Sequence, residues 1–374
     1  MTYNVSCPYS PGKKVIMKLT TALRNITIAA SAAAIGLVPL AGAQAHAAPT
    51  ADATTHATST NTGYSGYTPE EAAFLKTVEV KGSPGGVPSG SDGPIQRLTY
   101  TASMYSTAHP GTNPPGANDF SCKPKKGQNP VVLLPGTNSD AYASWSMYTP
   151  QLRARGFCSF VANFNGLPWL SSFSYTGDIR TSAKATSIFI DRVLRETGAQ
   201  KVDIIGWSQG GGAQPNYYIQ KLGGDKKVGK MIGIAPANHG VGGPAVSKWI
   251  NEALPDEAHA SIEDIAGSVH VASYPQQLAS SQLMKELYHN GKVTRPGVQY
   301  INIEGKYDYV VAPYTNAFIR EPGVKNITVQ DTCPQDHATH VNFPYDSNVS
   351  QMVFNALDPD NAKPVKCKPQ PFIG

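Results

Sequence analysis

Long apolar runs are missing from this sequence. Its longest apolar stretch, residues 26–40, is shorter than the roughly 20 residues that a membrane-spanning helix needs, so we expect no transmembrane segment. Basic clusters interleaved with aromatic side chains are also missing, and we expect no nucleic-acid partner. No C-x-x-C pair and no cysteine near a histidine stands at zinc-like spacing, so neither a metal nor a cofactor is expected. No internal repeat is visible.

The formal net charge of +5 comes from the N-terminal region. Four basic residues and no acidic residue precede Ala47, and the remainder holds 27 basic against 26 acidic residues. Residues 18–47 have a basic start, an apolar centre and small residues at the end, as a secretory signal has. We therefore predict an upstream extension (1–16), a signal peptide cleaved after Ala47, and a secreted, extracellular monomer.

Cysteine is scarce, with five residues in the chain. Four of them follow the predicted cleavage site, and an even number in an exported chain favours two disulfides. Three pairings are possible, of which we prefer sequential pairing, among Cys122, Cys158, Cys333 and Cys367.

The composition divides residues 48–374 into a lead-in and one domain. Residues 48–67 have few large apolar side chains, which predicts a flexible segment, and 68–374 are predicted to form a single domain. Thr68 begins a capping-box pattern that predicts a short helix to about residue 80, and the alternation in 97–103 predicts an early strand.

From residue 130 onward, short apolar strands alternate with longer helical segments. This alternation predicts an α/β fold with a mostly parallel sheet flanked by helices, and the insertion at about 239–297 predicts a helical cap. Helices are predicted at 142–155, 178–197, 213–222 and 348–357. The predicted strands are 131–134, 157–162, 202–205, 230–235, 298–303 and 326–330.

The third predicted strand runs into the pattern G-x-S-x-G at residues 206–210. On an α/β-hydrolase fold this pattern forms a sharp turn that presents a serine hydroxyl above the sheet. Ser208 is therefore the candidate nucleophile, and the alternative is a serine that only occupies a tight turn between strand and helix.

A serine nucleophile needs a histidine base and an orienting acid, which follow it in the order acid, then histidine. Asp308 lies just beyond a predicted strand and is the preferred acid, with Glu304 as the alternative. His340 follows the last strand and is the preferred base. His337 is the second candidate and His239 is the third.

The oxyanion of an acyl-transfer reaction needs hydrogen-bond donors. The backbone N–H of Gln209, directly after the serine, supplies one in this hypothesis. Thr137, in the Pro-Gly-Thr segment after the first central strand, offers both an N–H and a hydroxyl. An ordinary Pro-Gly turn is the alternative interpretation.

Taken together, these segments resemble secreted α/β-hydrolase lipases of the actinobacterial type, similar to Candida antarctica lipase B. The resemblance covers about 122–367 and rests on Pro135-Gly136-Thr137, Trp207-Ser208-Gln209-Gly210, Asp308 with Val310-Val311 and Pro313, and Cys333 shortly before His340. It implies Ser208, Asp308 and His340 as the triad, with Thr137 and Gln209 at the oxyanion. It also implies disulfides between Cys122 and Cys158 and between Cys333 and Cys367.

The predicted substrate is a lipid or another apolar ester. The resemblance implies Trp207, Val310 and Val311 as pocket walls, and Leu167 and Trp169 follow a strand where a wall would stand. We predict a carboxylic-ester hydrolase, a triacylglycerol lipase or carboxylesterase with an acyl-enzyme on Ser208. The alternatives are a polyester- or cutin-type esterase, an acyltransferase, and an inactive exported binding protein on a hydrolase scaffold.

Overall fold

A six-stranded sheet with every strand pair parallel forms the centre of the molecule. The strand order is β2-β1-β3-β4-β5-β6, so the first strand lies inside the sheet and crossovers lead to both edges. This arrangement confirms the predicted parallel α/β sheet. The strands are β1 (Val131–Leu134), β2 (Ser159–Val161), β3 (Val202–Trp207), β4 (Val228–Ile234), β5 (Gln299–Glu304) and β6 (Lys325–Thr328).

The structure is a computed structural model and describes residues 63–242, 264, 266–289 and 291–372. The described residues lie in one compact unit, Thr60–Gly374. The predicted signal peptide, its upstream extension and most of the predicted lead-in lie outside the described residues. So does the middle of the predicted cap, with Trp249, Ile250 and Leu254.

The helices lie between the strands and before and after the sheet. They are α1 (Pro69–Lys76), α2 (Thr99–Ala108), α3 (Ala141–Trp145), α4 (Tyr148–Ala154), α5 (Ile179–Thr197), α6 (Ala213–Lys221), α7 (Ser273–Gln276), α8 (Gln282–Met284), α9 (Val329–Thr332) and α10 (Ser347–Leu357). The starts of two helices, α1 and α5, are fixed by capping side chains. Thr68 caps α1 with the predicted capping box, and Asp178 caps α5 by accepting the Thr181 N–H.

The inner strands are apolar because helices cover both faces of the sheet. Every residue of β1 and β3 is buried, as expected for parallel strands packed on two sides. One core cluster joins β1 and β3 to α5 and α6, and a second joins the opposite face of the sheet to α3, α4 and α10. The sheet is therefore a rigid platform whose strand ends hold the loops of the candidate site.

The predicted strand at 97–103 is wrong, because this segment forms the start of α2. The two buried residues of α2, Ala102 and Ser106, are four apart and so lie on one helical face. The Ser106 hydroxyl donates to the buried Asp140 carboxylate, which fixes that face inward.

The predicted helix at 142–155 is two helices, α3 and α4. Pro150 explains the break, since a proline has no N–H to donate to the carbonyl of Ser146 four residues earlier.

The described part of the insertion packs into the main core. Leu283, Met284 and Leu287 are buried in the same cluster as α5 and α6, and Gln220 of α6 donates to the Leu287 carbonyl over 3.2 Å. This part of the insertion therefore belongs to the scaffold.

Candidate active site

The turn after β3 holds Ser208 in an unusual backbone conformation. Ser208 opens the 3₁₀ turn Ser208–Gly211 with a φ of 56°, in the left-handed region that few residues other than glycine adopt. The turn needs glycine on both sides. A Cβ at Gly206 would lie 1.8 Å from the Gly210 carbonyl oxygen, and one at Gly210 would lie 2.3 Å from that of Pro135. Local strain of this kind is commonly found at functional sites.

Ser208, His340 and Asp308 form one hydrogen-bonded chain. His340 Nε2 lies 2.8 Å from Ser208 Oγ, and His340 Nδ1 lies 2.6 Å from Asp308 Oδ2. The three residues, Ser208, His340 and Asp308, are 7%, 4% and 5% exposed. The structure therefore brings together the three residues that the sequence pattern selected from distant parts of the chain.

Asp308 is fixed in the turn that follows β5. Its Oδ1 accepts the backbone N–H groups of Val310, over 2.7 Å, and of Val311, over 2.8 Å. Its Oδ2 is left to face His340. The main chain of His340 is also fixed, because the Trp207 indole donates to the His340 backbone carbonyl over 3.0 Å, and the two rings lie 5.7 Å apart between centroids.

The other two candidate histidines lie elsewhere. The His337 ring contacts Tyr307 and Phe372, with centroid distances of 4.8 and 5.6 Å. His239 Nε2 lies 3.1 Å from the Phe318 carbonyl, and its ring packs against Tyr288. Of the three histidines, His340 is the one hydrogen-bonded to Ser208.

Thr137 lies beside the serine turn and accepts two amide donors. Gln209 Nε2 donates to Thr137 Oγ1 over 2.7 Å, and Gln277 Nε2 donates to the same oxygen over 2.9 Å. Both amide orientations are fixed, since the same nitrogens donate to the backbone carbonyls of Tyr175 and Ser273. Gln277 was not a candidate from the sequence, because a single glutamine in the insertion forms no recognisable pattern.

Glu304, the alternative acid, is completely buried at the end of β5. Its Oε1 accepts the Gly305 N–H over 2.8 Å, and its carboxyl group contacts Asp308 rather than His340. Burial raises the pKa of Glu304 well above its ordinary value, and the nearby Asp308 charge raises it further.

The residues predicted to line a pocket differ in exposure. Trp207 and Val311 are buried, and Val311 packs with Ala237 and Ala317. Leu167 and Val310 are half-buried. Trp169 is 72% exposed, so its ring is available at the surface.

Two disulfides join the cysteines in sequential order. Cys122 pairs with Cys158, which directly precedes β2. Cys333 pairs with Cys367, and this bond ties the C-terminal tail to the loop before His340. This pairing is the one preferred from the sequence.

Neither a metal cluster nor a membrane-spanning helix is found within the described ranges. No group of three or more His, Cys, Asp or Glu side chains there has a geometry suited to a metal ion. No helix in those ranges is both long enough and apolar enough to cross a bilayer.

Comparison with known proteins places the chain in a family. The family model described as Lipase (class 2) matches residues 128–353, from just before β1 into α10. Lipase B of Aspergillus fumigatus has a similar structure, with a TM-score of 0.50 and 19% identity over 68% of this chain and 56% of that one. Carboxylesterase CesB of Bacillus subtilis aligns with a TM-score of 0.39 and 16% identity over 70% of this chain and 97% of that one.

The chain thus spans a little over half of the Aspergillus enzyme, and at 19% identity the likeness shows the fold alone. The family model spans more than half of this chain and includes Ser208, Asp308 and His340. The chain therefore belongs to the class 2 lipase family.

Proposed function

We propose that the chain is a serine ester hydrolase, a lipase or carboxylesterase that forms an acyl-enzyme on Ser208. The hydrogen-bonded chain from Ser208 through His340 to Asp308 carries this proposal. Membership of the class 2 lipase family supports the same reaction class.

In the first half of the reaction, Ser208 Oγ attacks the ester carbonyl while His340 Nε2 accepts the serine proton. The Asp308 carboxylate holds Nδ1–H and stabilises the imidazolium that forms. The imidazolium then protonates the departing alcohol. In the second half, His340 activates a water molecule that releases the carboxylic acid from Ser208.

The oxyanion is stabilised by the backbone N–H groups of Gln209 and Thr137 and by the Thr137 hydroxyl. Gln209 is the second residue of its 3₁₀ turn, and N–H groups in the first turn of a helix have no partner within it. Thr137 Oγ1 already accepts two amide donors, so its own proton is left to be donated to the substrate oxygen.

We further propose that the substrate has an apolar acyl group and that the protein is secreted. The side chains that flank the triad are apolar, among them Trp207, Val310 and Val311. Two disulfides support export, because disulfides persist mainly in oxidising compartments.

Hydrolysis of p-nitrophenyl esters from acetate to palmitate tests the proposal. We expect Ser208→Ala and His340→Ala each to lose at least about 10⁴-fold in kcat, since the triad acts as a unit. His337→Ala is the matched control, because its ring packs away from Ser208, and it should retain the wild-type rate. The preferred chain length then distinguishes a lipase from a short-chain esterase.

An unchanged rate in Ser208→Ala would contradict the proposal. A wild-type protein inactive on every ester would favour the binding-protein alternative instead.

A further inference from the structure

The proposed mechanism leaves one buried acid at the site without a role. Glu304 ends β5, four residues before Asp308, and is 0% exposed. Its Oε1 accepts one backbone N–H, but its Oε2 is buried and has no donor among the described residues. A buried carboxylate oxygen without a donor is costly, so the position of Oε2 needs an explanation.

The group in hydrogen-bonding contact with the Glu304 carboxyl is the Asp308 carboxyl. Two carboxylates in contact cannot both be ionised, because their like charges repel in a site with little solvent. One proton between them turns the repulsion into a hydrogen bond and gives Glu304 Oε2 a partner.

The donors around the pair decide which acid holds the proton. Asp308 receives three hydrogen bonds, from His340 Nδ1 and from the Val310 and Val311 amides, and each stabilises its charged form. Glu304 receives a single hydrogen bond, from Gly305. The charge therefore belongs to Asp308 and the proton to Glu304.

Among the described residues, no cation offsets a charge on Glu304. Its neighbour across the sheet is Thr328 of β6, and the Gly305 that follows it packs against the Phe343 ring. The nearest lysine along the chain, Lys306, points to the surface and pairs with Asp331 of α9 over 3.4 Å. Both ring nitrogens of His340 are bonded elsewhere, to Asp308 and to Ser208.

We propose that Glu304 is a protonated carboxylic acid that donates its proton to the Asp308 carboxylate. This inference rests on the proposed function and makes Glu304 a positioning residue for the Asp308–His340 pair. As a neutral donor it restrains Asp308 without adding a second negative charge. A second charge would stabilise the imidazolium in the resting enzyme and leave less of His340 in the basic form.

Substitution by glutamine tests whether Glu304 acts as a neutral donor or as a charged group. Glu304→Gln keeps a donor, Nε2–H, and the same net charge as a protonated acid. We expect its kcat/KM to remain within about threefold of wild type, with the acid limb of the pH profile shifted by less than about 0.3 units. Loss of an ionised carboxylate would instead move that limb by about one unit toward lower pH.

Substitution by methionine removes the donor at nearly constant volume. Glu304→Met leaves Asp308 without its fourth hydrogen bond, so we expect kcat to fall about tenfold at unchanged KM, as for loss of one hydrogen bond to a charged group. A wild-type kcat in Glu304→Met would overturn the proposal, and so would the pH shift in Glu304→Gln.

Infrared spectroscopy at neutral pH reads the proton directly and does not depend on activity or on the methionine variant folding. The difference spectrum of wild type minus Glu304→Gln should contain the C=O band of a protonated carboxylic acid. Glu321→Gln is the matched control, since the Glu321 carboxylate accepts donors from Val293 and Thr294 and should contribute no such band. Absence of the band overturns the proposal, whereas an active Ser208→Ala would overturn the proposed function and leave the band in place.

Discussion

The Thr137 hydroxyl shows how side-chain amides can fix the direction of one proton. A hydroxyl accepts two hydrogen bonds and donates one. Gln209 and Gln277 occupy both acceptor positions of Thr137, and backbone carbonyls prevent either amide from turning its oxygen toward it. The direction of the Thr137 O–H is thereby fixed, and in the proposed mechanism a fixed donor costs less at the moment of reaction than a free hydroxyl that must turn.

This arrangement predicts coupling between Gln277 and Thr137. Thr137→Val should lower kcat about 10²-fold, in the range for removal of one oxyanion donor. Gln277→Ala should lower kcat about tenfold in wild type, as expected for loss of one hydrogen bond, and should have no further effect in the Thr137→Val background. Steady-state kinetics of the four proteins in this cycle measure the coupling.

Gln276→Ala is the control for that cycle. Gln276 adjoins Gln277 but bonds to Asp178 and to the Ile179 N–H at the start of α5. Its kcat should therefore match wild type. Additive losses in the double variant would mean that Gln277 acts independently of the hydroxyl.

At the level of elements, two buried aspartates hold the loop that carries His340 against α10. Asp336 accepts from the Asn348 side chain over 2.8 Å, and Asp346 caps α10 by accepting the Asn348 N–H over 2.7 Å. The remaining Asp346 oxygen is buried without a donor among the described residues. Burial, followed by the contact with Asp336, raises the pKa of Asp346 to about 8.

A raised pKa in an acid makes stability depend on pH with a definite sign. The stabilising contribution of Asp346 to the free energy of unfolding is complete below its ordinary pKa of 3.8 and is lost as the pH rises toward about 8. Asp346→Asn keeps the cap and supplies a donor to Asp336. The free energy of unfolding of this variant should therefore increase relative to that of wild type as the pH rises from about 4 to 8. The difference should grow by at most about 1.4 kcal/mol for each pH unit.

Urea unfolding of both proteins at several pH values checks this prediction. Asp331→Asn is the control, since Asp331 is largely exposed and pairs with a surface lysine. Parallel stability curves for wild type and Asp346→Asn would show that the aspartate pair does not take up a proton on folding.

The elements show which parts of the molecule the sequence can predict. The edge strand β6 is only partly buried, but the inner strands β1 and β3 are predictable because parallel strands buried on both faces are continuous apolar runs. The helix α2 is not, because it is short and only Ala102 and Ser106 face inward, so its pattern resembles alternation.

Ser208, Asp308 and His340 follow strand ends in a fixed order, which a motif can express. The contact of Gln277 with Thr137 joins segments 140 residues apart. The raised pKa values of Glu304 and Asp346 depend on burial and on a neighbouring acid, and no local pattern encodes these either.

At the scale of the whole molecule, each disulfide closes a loop of similar length. Cys122 and Cys158 are 36 residues apart, and Cys333 and Cys367 are 34 apart. Loops of this length correspond to about 3 to 4 kcal/mol of stabilisation in the chain-entropy description. The two bonds differ in what they hold, because the second secures the tail after α10.

Removal of each disulfide by a pair of serine substitutions should therefore lower stability by a similar amount but expose different segments. Cys333→Ser with Cys367→Ser leaves the tail held by hydrogen bonds such as Asn348 to Lys368 and by the ring contacts of Phe372. Trypsin should then cut after Lys366 under native conditions, as detected by mass spectrometry, since Lys363 and Lys368 each precede a proline and resist trypsin. Cys122→Ser with Cys158→Ser is the control and should keep the tail intact. Cleavage of the tail in both variants would contradict the conclusion that the second disulfide is the one that secures it.

The separation of Ser208 and His340 along the chain has a consequence for the order of assembly. The two residues are 132 positions apart, and His340 follows β6, the strand at the sheet edge. Contacts between such distant segments form late, because long loops must close first. Ester hydrolysis regained after dilution from denaturant therefore marks the end of folding, and a nascent chain stays catalytically silent until the segment after β6 has reached the sheet.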